Sequence, residues 1–155
     1  MKRLILLLGA TVLLAGCESI EPLPSLSERY SAVPPQTKVV ESDYRTTFYA
    51  AQLAMKKMDF VVTKSAQAQG IVNGRSGLHN EDAFNQVRQY SFEVRLRNVD
   101  EKHTEVALLL HEQVEGEVSA GATDQVLRSH GLYDAYFAAL DQVLREGVEI
   151  PDTAR

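Results

Sequence analysis

Few residues in this chain have side chains suited to chemistry: one cysteine, four histidines and a scatter of serines. His103 and His111 fall on one expected strand, eight residues apart. Even spacing puts them on one face, but at ~3.3 Å per residue they stand about 26 Å apart, too far to share a metal ion. They read as surface histidines. His79 sits in H-N-E-D beside Glu81 and Asp82, an H-x-E fragment with no P-C-x-x-C to complete a zinc site and no H-E-x-x-H elsewhere. Ser76, in N-G-R-S-G-L, lacks the glycine two residues on that a nucleophile elbow requires; Leu78 stands there. Ser119, Asp124, Ser129 and His130 share one long connection, which could hold either a hydrolytic group or an interaction loop. No spacing enforces a triad. Gly74 and Gly77, like Gly116 and Gly121, match neither a P-loop nor a dinucleotide fingerprint. The expectation is no catalytic residue, no metal and no cofactor.

Cys17 closes the opening stretch M-K-R-L-I-L-L-L-G-A-T-V-L-L-A-G-C. Lys2 and Arg3 form a positive start, and Leu4 to Leu14 is an apolar run of eleven residues. A membrane-spanning helix needs ~20 apolar residues; this order of charge, apolar run and small residues is that of a secretory leader. Its ending, Leu14-Ala15-Gly16-Cys17, resembles the lipobox of bacterial lipoprotein precursors residue for residue. The resemblance implies that residues 1–16 are removed and that Cys17 is acylated and becomes the first residue of the mature chain. Two or more acyl chains anchor durably where one holds only marginally. In that family an Asp after the cysteine favours inner-membrane retention. Here Glu18 and Ser19 follow, which implies the outer membrane with the domain facing the periplasm.

Removing residues 1–16 from the 155 leaves 139, a length that suits one domain. Lys2 and Arg3 leave with the leader, so 14 basic residues face 21 acidic ones, a net charge of −7. That balance argues against non-specific binding to nucleic acid. With Cys17 acylated no cysteine remains, so the core must be stable without a disulfide.

Residues 17–36 carry Pro22, Pro24, Pro34 and Pro35, which remove amide donors and disfavour helix. They read as the lipidated cysteine and a semi-extended tether of at most ~60 Å at ~3.3 Å per residue. A domain over 37–150 follows. TKVVE (37–41) reads as a strand, and Ser42 as the N-cap of a helix over 43–58 with Tyr44, Phe48, Ala51, Met55 and Met58 along one stripe. DFVVTK (59–64) and IVNGRS (71–76) read as strands and 77–86 as a polar hairpin loop. In QYSFEVRLRN (89–98), Phe92, Val94 and Leu96 alternate with charged residues. In 103–114, Val106, Leu108 and Leu110 share one face. Residues 115–129 lack a period and read as a long connection. Tyr133, Tyr136, Phe137, Leu140 and Leu144 stripe a final helix over 130–146, with Gly147 beyond its end. The order β-α-β-β-β-β-α predicts an α+β domain: a four- to five-stranded, mainly antiparallel sheet with two helices on one face.

The elements FYAAQLAMKKMDFVVT, the G-I-V-N-G-R strand, HTEVALLL and SHGLYDAYFAALDQVL resemble small bacterial envelope lipoproteins of unassigned function. Their layout is also similar to the helix-grip domains of barrel-assembly accessory lipoproteins. The resemblance implies a non-catalytic binding or assembly module, held to the membrane through Cys17 and meeting an envelope protein partner. The alternatives are a small hydrolase and a carrier of an apolar ligand; the carrier would need a cavity lined by Phe48, Phe92 or Tyr136.

Overall fold

The computed structural model describes residues 33–81, 86–116 and 123–150. The leader, Cys17 and the tether up to residue 32 lie outside the described residues, as does Ser119. The chain runs β1 (Gln36–Val40), α1 (Tyr44–Lys57), β2 (Val61–Ala66), a 3₁₀ turn (Gln67–Gln69), β3 (Ile71–Arg75), β4 (His79–Glu81), β5 (Gln86–Asn98), β6 (Thr104–Gly116), β7 (Thr123–Leu127) and α2 (Gly131–Glu146).

All strands join one antiparallel sheet whose principal path is β1-β6-β5-β3-β2. Its spine is the β5–β6 hairpin, paired without a break from Gln86↔Gly116 to Asn98↔Thr104. Each hairpin strand is longer than its outer neighbours, so two short strands share each outer edge. β1 pairs with β6 over Thr104–Leu108 and β7 over Leu110–Val114. β3 pairs with β5 over Ser91–Arg95 and β4 over Gln86–Arg88. The α+β order expected from the sequence is present. β4 and β7 add to it, because the polar stretch 77–86 and the connection 115–129 each contain a strand that lacks an apolar period.

Alternation sorts the hairpin. Phe92, Val94 and Leu96 of β5 and Val106, Leu108 and Leu110 of β6 are buried. They pack with Phe48, Ala51, Ala54 and Met55 of α1 and Tyr133, Tyr136, Leu140 and Val143 of α2 in one core. The opposite sheet face carries pairs such as Arg97–Glu105 and Arg95–Glu93 and faces solvent. Lys38 on β1 bonds Asp141 on α2, and Lys57 on α1 bonds Glu146 on α2. Such half-exposed pairs add little, about 0–1 kcal/mol each. The apolar core does most of the work.

The helix ends correct the sequence in detail. Asp43, not Ser42, caps α1, its carboxylate accepting from the Thr46 amide at 3.0 Å. Ser42 instead offers its carbonyl to the Thr104 hydroxyl at 2.9 Å. At the other end of α1 the Asp59 amide donates to the Lys56 carbonyl and the Phe60 amide to the Met55 carbonyl. That is the Schellman arrangement, and its left-handed position is filled by Asp59 at φ 60° rather than by glycine.

Candidate functional site

Alternation also carries polar residues to the inner face at one end of the hairpin. Glu112 follows Val106, Leu108 and Leu110 at the same parity, so it points inward and is 6 % exposed. It lies opposite Tyr90 on β5 and Gln125 on β7. The Tyr90 phenol donates to its carboxylate at 3.1 Å, the Arg88 guanidinium at 3.1 Å and the Gln125 side-chain amide at 2.8 Å. Burial by itself would push the Glu112 carboxyl up. The bonds from Gln125 and Tyr90 and the Arg88 charge outweigh it and hold the carboxyl below the usual range. Burial, then the Glu112 carboxylate, push the Tyr90 phenol up.

Arg88 and Tyr90 of this polar row line an open cleft of about 610 Å³, with Glu112 behind them. Met58, Asp59 and Phe60 reach it from the end of α1, and Ser76 and Gly77 from the end of β3. His79 comes from β4, Arg88 and Tyr90 from β5, and His130 and Leu132 from the start of α2. The His79 and His130 rings both lie near Tyr90, with centroids 6.3 and 5.4 Å from it. His130 also caps α2, its Nδ1 accepting from the Leu132 amide at 3.2 Å. Ser76 is committed to the backbone: its hydroxyl donates to the Gly77 carbonyl at 2.7 Å and accepts from the Tyr90 amide at 3.0 Å.

The residues singled out in the sequence therefore fall into separate places. His79, Ser76 and His130 share the cleft, although nothing in their spacing joined them. Asp124 sits away from it, on the outer face of β7, 3.4 Å from His111. Ser129 is exposed in the bend before α2. Asp124 and His130, the two described titratable members of the 119–130 group, thus serve opposite sides of the sheet. His103 precedes β6 in the turn, its Nδ1 2.8 Å from the Asp100 carboxylate. Phe48, Phe92 and Tyr136 are core residues. Phe92 stacks on Phe60 at 4.5 Å and packs on Tyr136 at 5.2 Å, filling the space an internal apolar ligand would need. Among the described residues no group of three or more His, Cys, Asp or Glu side chains is placed to hold a metal ion.

Arg88, Tyr90, Glu112 and Asp59 were not singled out from the sequence. For three of them the signal was parity: Arg88 and Tyr90 continue the inward series of Phe92 and Val94, as Glu112 continues that of Leu110.

Residues 1–17 match the model of a prokaryotic membrane lipoprotein lipid attachment site, and the match ends on Cys17. No curated protein matches the chain. The protein is thus a lipid-anchored membrane lipoprotein of the prokaryotic envelope. Among the described residues no helix is long and apolar enough to cross a membrane.

Proposed function

We propose that this lipoprotein is a non-catalytic binding module, tethered to the outer membrane on its periplasmic side, whose working surface is the cleft between the end of α1, β4 and the start of α2. The observation that carries this reading is the Glu112 row. A buried carboxylate with three donors fixes Arg88 and Tyr90 before any ligand arrives, and preorganised polar groups above an apolar floor are what a binding site requires. The non-catalytic reading is supported by Ser76, the serine in the cleft lining, whose hydroxyl is engaged by the Gly77 carbonyl and the Tyr90 amide rather than by a general base. The outer membrane is supported by Glu18 directly after Cys17.

Hydrogen exchange on the lipidated chain, compared between native envelopes and detergent, tests this role. Amides of 58–60, 76–79 and 130–132 are expected to exchange more slowly in envelopes, while the β5–β6 turn at 99–103 is unchanged. Equal exchange of the cleft segments in both settings would overturn it.

A further inference from the structure

Four features of the cleft bear on what it takes. First, its charges are balanced internally. Arg88 is paired with Glu112 behind the lining, and the lining itself holds one carboxylate, the exposed Asp59. An anion entering there meets Asp59 and has Glu112 behind the guanidinium; a cation meets Arg88. Second, the lining mixes donors with acceptors: the guanidinium and imidazole N–H groups and the Asp59 carboxylate. Third, the apolar part is built from Met58, Leu132 and the Tyr90 ring over the buried Phe60, and the His79 and His130 rings lie tilted to Tyr90 at 6.3 and 5.4 Å. A ligand with a C–H face gains from such rings. Fourth, the exposed carboxylate is held at backbone cost. Asp59 occupies the left-handed region at the helix end, where glycine is the easier residue. Strained residues of this kind gather at ligand sites.

We propose that the cleft binds a neutral hydroxylated ring, the chemistry of a sugar unit, with its C–H face on Tyr90 and Leu132 and its hydroxyls bonded to Asp59, His79 and Arg88. This rests on the reading of the cleft as the binding surface. A volume of about 610 Å³ holds such a ring with room for a neighbour, and lies in the usual range of small-molecule sites, roughly 300–1,000 Å³. Charge complementarity selects the class: hydroxyls both donate and accept and carry no charge to be repelled.

The test is saturation-transfer NMR on the full lipidated chain in polyoxyethylene detergent micelles, which contain no sugar headgroup. The probes are N,N′-diacetylchitobiose, cellobiose and maltose, with phenyl phosphate and phenyltrimethylammonium as charged comparisons. At least one disaccharide is expected to receive saturation at its ring C–H protons, and both charged probes to receive less. Asp59→Gly suits the left-handed backbone and keeps the fold. It should weaken sugar binding about tenfold, the loss of one hydrogen bond to a charged group, and His79→Ala should weaken it in the same direction. Three results would overturn the proposal: silence from all three disaccharides, a charged probe binding as well as the sugars, or sugar binding indifferent to both variants. If a charged probe binds and the sugars do not, the ligand class is wrong and the binding cleft stands. If nothing binds and cleft amides exchange alike in envelopes and detergent, the cleft reading itself fails.

Discussion

Tyr90 and Glu112 face each other across the β5–β6 hairpin, the phenol donating at 3.1 Å to a carboxylate whose side chain is 8 % exposed. The pair stands where the apolar core gives way to the cleft. It converts the last inward positions of both strands from packing to recognition. A buried charge survives there because Arg88 and Gln125 complete its shell.

Because the Glu112 carboxyl is held below its ordinary value of 4.5, its stabilising contribution is complete above about pH 4.5. It is lost as the pH falls through the lower, folded value. Denaturant melts between pH 3 and pH 7 should show this acid limb in the native protein and a shallower one in Glu112→Gln. At pH 7 the variant should be less stable by about 1–3 kcal/mol, the cost of leaving buried donors poorly matched. Parallel acid limbs in the two proteins would remove Glu112 from the account.

Asp59→Gly relieves a left-handed residue at the end of α1. Thermal and denaturant unfolding should show a gain of about 0.5–1 kcal/mol. A loss of stability would mean that the carboxylate supports the fold rather than the cleft.

Gly70 has φ 66°, and a Cβ there would lie 2.4 Å from the Leu96 carbonyl oxygen. Its own carbonyl accepts from the Leu96 amide at 2.8 Å, stitching the 3₁₀ turn to β5. Backbone blocks backbone here, so Gly70→Ala should destabilise by roughly 1–3 kcal/mol in chemical denaturation. A neutral result would show that the turn can swing away from β5.

Cys17→Ala removes the thiol at the end of the matched attachment site. Metabolic labelling with a fatty acid should give no labelled protein, and the chain should accumulate with residues 1–16 attached. Membrane fractionation of the native protein should place it with the outer membrane, and Glu18→Asp should shift it toward the inner one. Normal acylation of Cys17→Ala would contradict the anchor.

Much of this architecture is visible in the sequence because the core elements have a clean period. The Phe92-Val94-Leu96 alternation and the Phe48-Ala51-Met55 stripe name both their elements and their buried faces. β4 and β7 were not visible. Each is short, polar and stabilised by lying against an edge that the 13-residue hairpin strands leave open. The cleft was hidden for a related reason. His79, Ser76 and His130 are weak signals singly, and the register that gathers them around Tyr90 is a property of the folded sheet. Asp43, not Ser42, is the cap: its carboxylate reaches the Thr46 amide, while the Ser42 carbonyl accepts from Thr104, 62 residues away and not foreseeable from the local sequence.

The most direct test of the cleft as working surface is photo-cross-linking in intact cells from two exposed positions. Leu78 lies between Gly77 and His79 at the rim, and Val99 lies in the turn at the far end of the hairpin; they are 68 % and 51 % exposed. With a photoreactive residue at each in turn, position 78 should give a discrete adduct by mass spectrometry and position 99 none. Adducts of equal yield from both positions, or none from position 78, would contradict the account.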